Sequence, residues 1–219
     1  ASDVYKRQPT VSSAGSDISQ CNNASFTLAG NSPSSGTGAW SVVSGTASIT
    51  SSSSNTSGVT GITVGNSATL RWTISNGSCT SSTDDVVLTN NNNPTANAGS
   101  DVTHCSGLSS SLSASASGGS GGSYTYSWSP STGLSATNVS NPTASHTSTT
   151  TYTVTVTDGN SCTATDDVVV SVDAAPGWAN FQHVSATAIC QGATITTYGQ
   201  VYKSGETDNT TNQEIDNAY

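Results

Sequence analysis

The chain has no methionine, and only four lysines and arginines in 219 residues. Charged residues make up 8% of it and aromatic ones 6%. Each shortage excludes something. Thirteen acidic residues against four basic ones leave a net charge of −9. That is the wrong sign for a surface that tracks nucleic-acid phosphates or an anionic membrane. No apolar run approaches the roughly 20 residues that cross a bilayer, so no membrane insertion is expected. Without a methionine the native start is expected to lie upstream, and a missing signal peptide then says nothing against secretion. CxxC pairs and HxxxH pairs are absent, which removes the usual frames for a zinc ion, and no strand-to-helix nucleophile elbow is expected around a serine. His104, His146 and His183 are far apart in the chain and read as isolated surface residues. The expectation is a protein that is not an enzyme, with no catalytic or cofactor-binding residues.

What is present is Ser, Thr, Asn and Gly, interrupted by short alternating runs of Val, Ile, Leu, Tyr and Trp. Such runs between polar turns predict an all-β protein. In the first half, strands are expected at Ser25–Ala29, Ala39–Ser44, Val59–Val64, Thr69–Ser75 and Asp85–Thr89. In LRWTI, a period of two puts Leu70, Trp72 and Ile74 on one face and Arg71 and Thr73 on the other. In SYTYSWS, Tyr124, Tyr126 and Trp128 share a face. In TTTYTVTVTDGNSC, Tyr152, Val154 and Val156 point inward, and the DGN segment makes a hairpin turn. Trp40, Trp72, Tyr126, Trp128 and Tyr152 are therefore expected in the core.

Internal repetition organises the chain. PTVSSAGSDISQC (9–21) is echoed by PTANAGSDVTHC (94–105), and NGSCTSSTDDVVLT (76–89) by NSCTATDDVVVSV (160–172). Two modules follow, 9–92 and 93–173, each an antiparallel Greek-key β-sandwich. The run Asn90–Asn93 before Pro94 reads as a polar linker. Residues 174–219 read as the truncated start of a third β-rich module, too few for an independent sandwich.

The cysteines repeat too. Cys21 and Cys105 follow the AGSD element, and Cys79 and Cys162 follow the late hairpin. Equivalent placement favours the bridges Cys21–Cys79 and Cys105–Cys162, with free buried thiols as the alternative. Paired cysteines imply an oxidising, extracellular or outer-surface location. Cys190 is left over, its partner expected beyond Tyr219.

These residues carry a resemblance. AGSD followed by a cysteine, WSVVSGTASI, ATLRWTISNGSC and TDDVVLTN resemble Ig-like repeats of very large gliding-adhesin-type surface proteins of Bacteroidota. YSWSPSTGL, NVSNPTAS and TTTYTVTVTDGNSCTATDDVVVSV are similar to the cysteine-containing PKD-like repeats of the same proteins, although the WDFGDG motif of typical PKD domains is absent. The resemblance covers residues 9–173 and implies secretion by a type IX route. Residues 1–8, ASDVYKRQ, resemble in reverse translation the end of a transposase-based sequencing adapter, and are expected to be an artefactual scar that packs against nothing.

Three further possibilities stand against ordinary turns and strands. Asp158, Asn160 and Asp166, with Asp84, Asp85, Asp167, Asp17 and Asp101, offer the hard oxygens calcium takes, but no Asx-rich loop of the roughly 12-residue kind is present. The Thr151, Thr153 and Thr155 row offers a flat hydroxyl face of the kind some ice-binding surfaces present, but a single such ladder reads as a solvent-facing strand. Trp178 is the one aromatic not claimed by an alternating face, and is the candidate for stacking on a glycan. The expected function is structural: repeats of a cell-surface stalk or adhesin, touching neighbouring repeats and an unknown surface ligand, glycan or protein. The alternative is a spacer or weak carbohydrate-binding accessory of a secreted hydrolase.

Overall fold

The computed structural model describes residues 8–173. The Trp178, His183 and Cys190 expectations, the third module and nearly all of the 1–8 segment lie outside these residues. The described residues fold as two β-sandwiches in tandem, each around its own core.

The first sandwich has seven strands: β1 (Ile18–Cys21), β2 (Phe26–Thr27), β3 (Thr37–Ser44), β4 (Ser48–Ile49), β5 (Gly58–Thr60), β6 (Asn66–Ser75) and β7 (Ser82–Asn91). One sheet runs β1-β7-β6-β3 and the other β2-β5-β4. Neighbours in the sheet are thus often distant in the chain, as in a Greek key. Leu70, Trp72 and Ile74 of β6 are buried beside Val86 and Leu88 of β7, facing Phe26 and Val59 of the other sheet. The alternation in LRWTI is the cause. Trp40 and Trp72 pack with ring centroids 4.9 Å apart. Gly38 lies beneath them; a Cβ there would sit 2.1 Å from the Trp72 ring. The sequence misses β1 and β4, and overextends β5, which stops where Gly61 turns to φ +84°.

The second sandwich comprises β8 (Pro94–Asn97), β9 (Val102–Cys105), β10 (Ser110–Ser111), β11 (Ser115–Gly118), β12 (Tyr124–Ser129), β13 (Thr143–Ala144), β14 (Thr150–Asp158) and β15 (Thr163–Asp173). Its main sheet is β12-β14-β15-β9, covered by the pairs β8–β11 and β10–β13. Trp128, Tyr152, Val154, Val156, Val168 and Val170 pack against a layer of small residues, Ala98, Ala114 and Ala144, with Leu112. Tyr126 is half-buried against this core. The buried polar tips find acceptors: Trp128 Nε1 donates to the Val139 carbonyl at 2.9 Å, and Tyr152 Oη to the Thr132 carbonyl at 2.8 Å. Burial pushes the Tyr152 hydroxyl pKa up.

In both sandwiches the ladder is antiparallel except at one place. The strand after AGSD runs parallel to the last strand, Ile18 opposite Leu88 and Val102 opposite Val170. This pairing sets the poles of each sandwich. Cys21 lies opposite Asn91, the end of β7, whereas Cys79 precedes its start at Ser82. A ten-residue strand spans roughly 30 Å, and a disulfide needs Cα atoms within about 7 Å. The expected Cys21–Cys79 bridge is thereby excluded. Cys105 lies opposite Asp173 at one end of β15, and Cys162 precedes the other, which excludes Cys105–Cys162 in the same way.

A second correction concerns the junction. Asn90 and Asn91 are not linker but the end of β7, both buried. Only Asn92 and Asn93 separate β7 from β8.

Candidate functional site: the inter-sandwich joint

The features left unexplained by core packing converge between the sandwiches. Cys21, at the end of β1, is bonded to Cys162, in the turn before β15, with Cα atoms 5.5 Å apart. Cys79 is a free thiol, half-buried. Cys105 is also disulfide-bonded.

Around the bridge, short polar side chains hold the backbone. Asn90 donates from Nδ2 to the Ile62 carbonyl at 2.9 Å and accepts from the Asn23 N–H at 3.0 Å. Asn91 donates to Ser19 Oγ at 2.7 Å and accepts from Asn160 Nδ2 of the second sandwich at 3.2 Å. The Asn92 N–H donates across the joint to Ser120 Oγ at 2.9 Å. An amide side chain both donates and accepts, so an asparagine run satisfies a buried seam that charged residues would make costly.

Asp158 is the anion of this seam, 5% exposed. Its Oδ1 accepts from the Asn160 and Cys162 N–H groups, each at 2.9 Å, and its Oδ2 from those of Ser120 and Gly121, each at 3.1 Å. Burial disfavours its charge, but the four backbone donors prevail and hold the carboxyl below the usual carboxylate range. The turn differs from a simple Asp-Gly hairpin: Ser161, not Gly159, adopts the positive φ, at 65°. Gly159 is required for another reason. Its backbone abuts that of Gly121, and a Cβ on Gly159 would lie 2.6 Å from the Gly121 carbonyl oxygen.

The other aspartates have a repeated duty. In the first sandwich the Ala14 N–H donates to Asp84 Oδ2 at 2.7 Å, and Asp17 Oδ1 accepts from the Val87 N–H at 2.8 Å. In the second, Ala98 donates to Asp166 and Asp101 accepts from Val169, each at 2.8 Å. AGSD and DDVV thus recur because they clasp each other, riveting the strand after AGSD to the last strand of each sandwich. The signal was in the sequence: the two motifs recur together. Asp158 and Asn160 meet in one turn, whereas Asp166 is engaged with Ala98. Among the described residues no group of three or more His, Cys, Asp or Glu side chains is placed to hold a metal ion.

Asp85 forms a two-pronged ion pair with Arg71 across β6 and β7, at 2.7 and 2.8 Å. The hydrogen bond from Arg71 lowers the Asp85 pKa. His104 is buried, contrary to the surface expectation, with Nδ1 at 3.0 Å from Ser110 Oγ and Nε2 at 3.4 Å from the His146 carbonyl. His146 contacts the Thr132 carbonyl and stacks near Tyr152.

No family model and no curated protein matches the chain. Solved structures similar to it include the insect immune protein hemolin, at 14% identity over 77% of this chain and 48% of that one, with a TM-score of 0.41. Sidekick-1 immunoglobulin domains 1–4 are similar at 10% identity over 75% and 48%, TM-score 0.48. The fibronectin(III)-like modules of CbhA from Clostridium thermocellum are similar at 12% identity over 81% and 100%, TM-score 0.40. The chain spans about half the length of the hemolin and Sidekick-1 chains. Its described residues are all-β, in two sandwiches of immunoglobulin-like kind.

Proposed function

We propose that this chain is a non-catalytic stretch of an extracellular stalk or adhesin, built from modules 9–92 and 93–173 with a third beginning near 174. Its work is to hold successive sandwiches at a fixed angle and spacing. The observation that supports this is the Cys21–Cys162 bridge, which ties one sandwich to the next instead of closing either one. A protein selected only for folding gains as much from bridges within sandwiches; a bridge between them sets their relative orientation. The two-residue spacer and the Asn91–Asn160 and Asn92–Ser120 contacts act in the same sense. The bridge also favours an oxidising compartment. The array resembles Bacteroidota surface repeats, so a type IX-secreted adhesin, anchored elsewhere in a longer protein, is the context we infer. Polar Ser and Thr faces with little charge suit a stalk that stays soluble and avoids nonspecific contacts.

The test is orientation in solution. Residual dipolar couplings of the oxidised full chain are expected to fit one alignment tensor for both sandwiches. The Cys21→Ser variant is expected to need two. Two independent tensors in the oxidised wild type would overturn the reading.

A further inference from the structure

The parallel pairing described above places one cysteine at each pole of each sandwich. At the joint, the far-pole cysteine of the first sandwich, Cys21, meets the hairpin cysteine of the second, Cys162. This leaves the hairpin cysteine of the first, Cys79, at the outer pole as a half-buried thiol. Its equivalent in the second sandwich is the residue that receives the preceding module. Cys105, the far-pole cysteine of the second sandwich, is disulfide-bonded although Cys162 is already taken. The far-pole position is thus bonded in both repeats.

The surface at Cys79 shares the close backbone packing of the receiving half of the joint but has a neutral amide in place of its anion. Asn76 donates to Ser35 Oγ at 3.0 Å, where Asp158 accepts from the Ser120 and Gly121 backbone. Gly36 abuts the Ser75 carbonyl, its built Cβ 2.4 Å away, as Gly121 abuts Gly159. Beside Cys79 is an open hollow of about 420 Å³ lined by Gln8, Pro9, Cys79, Thr80, Ser81 and Ser82.

We propose that this pole docks another module of the same cysteine-bearing kind, placed N-terminal to Pro9, and that Cys79 forms a disulfide with the cysteine that ends its AGSD strand. The bridges then recur as a head-to-tail staple along the array. The proposal rests on the stalk reading and names its partner. The chemistry is thiol–disulfide exchange with a glutathione-type disulfide as oxidant. The neighbour's cysteine first carries a mixed disulfide with glutathione. The Cys79 thiolate attacks the neighbour's sulfur, the bond to glutathione breaks, and glutathione leaves as a thiolate that takes up the proton Cys79 lost.

The test places a duplicate of residues 9–93 directly ahead of Pro9 in the full chain, so that the Asn-Asn-Pro-Thr junction is reproduced. The fusion is equilibrated with oxidised and reduced glutathione, and its bridges are mapped by mass spectrometry without reduction. The expected result is a peptide joining the duplicate's Cys21 to Cys79, with the free thiol moved to the duplicate's own Cys79. In the same fusion carrying Cys79→Ser in the original module, the duplicate's Cys21 should become alkylatable while Cys21–Cys162 persists. If Cys21–Cys162 forms but Cys79 stays alkylatable, the docking proposal fails and the stalk reading survives. If Cys21–Cys162 itself does not form, both fail.

Discussion

The β6–β7 and β14–β15 hairpins carry one repeated pattern and exist in two states. In the second sandwich, Asp158 gathers four backbone donors, and Cys162 is bonded to the neighbouring sandwich. In the first, Asn76 reaches Ser35 with a neutral amide, and Cys79 keeps its thiol. The cores behind both hairpins are comparably buried and the AGSD clasps are the same. What differs is the occupancy of the pole. Each sandwich therefore folds on internal contacts and carries half a joint on each end, so that stability and assembly are handled by separate residues.

The sharpest way to break this comparison is to remove the sulfurs one at a time. Cys162→Ser should lower the stability of the oxidised chain by roughly 5 kcal/mol, the chain-entropy value for a loop of this size, since the bridge spans 141 positions. Cys79→Ser should leave the urea midpoint unchanged. Equal effects in urea denaturation without reductant would erase the distinction between the two hairpins.

Asp158→Asn comes next. An amide presents hydrogens where the carboxylate accepts from two N–H groups at each oxygen, so the thermal midpoint should fall, whereas Asn76→Ala should cost less. The wild type also carries a pH signature. The Asp158 pKa is lowered on folding, so its stabilisation is complete above the unfolded value of about 3.9 and is lost as pH falls through the folded value. Thermal scans from about pH 6 down to about pH 2.5 should show a decline below about pH 4 that Asp158→Asn shares only in part. Parallel curves for the two proteins would remove Asp158 from the account.

The clasps should show no asymmetry. Asp17→Ala and Asp101→Ala each remove one side-chain bond to a backbone N–H, and each should cost about 1 kcal/mol, read by hydrogen exchange in its own sandwich. A large difference would mean that the repeated motif does different work in the two repeats. The smallest effect belongs to Arg71→Ala. Arg71 and Asp85 are exposed, with 42% and 38% of their side chains accessible. The melting shift should be slight and should vanish in about 1 M salt, where screening acts over about 3 Å.

Much of the fold was legible because alternation is a direct image of the sheet face. LRWTI and TYTVTV name their buried sides without help from the rest of the chain. The strands that escaped, β1 and β4 in the first sandwich and β8, β9, β10, β11 and β13 in the second, are short and mostly polar, and depend on a partner strand for their definition. The cysteine pairing was not legible for a different reason. Repetition gives phase but not partner: equivalent cysteines recur at equal spacing whether each bond closes within a repeat or reaches to the next. Deciding between them needed the parallel pairing of β1 with β7, which separates Cys21 from Cys79 by the length of a strand. The asparagine run misled through composition. Asn90 and Asn91 look like linker until their amides are seen filling a buried seam. The aspartates were read as calcium candidates or turn residues because their donors, backbone N–H groups about 70 residues away in sequence, leave no local mark.

The parallel strand pair and the bridge together determine how tension would travel. In the reduced chain, pulling on the two ends of the described segment draws β1 and β7 in opposite directions, so the hydrogen bonds of this parallel pair are loaded in shear and must fail together, not one by one. With Cys21 joined to Cys162, the covalent route from one end to the other runs along β1, through the sulfurs and out along β15. The chain between the two cysteines, a sequence separation of 141, lies off that route. At about 3.4 Å per residue, roughly 480 Å of chain is withheld from extension. The molecule is a short covalent tether with two folded sandwiches hung on it, and its greatest reach is set by a redox state.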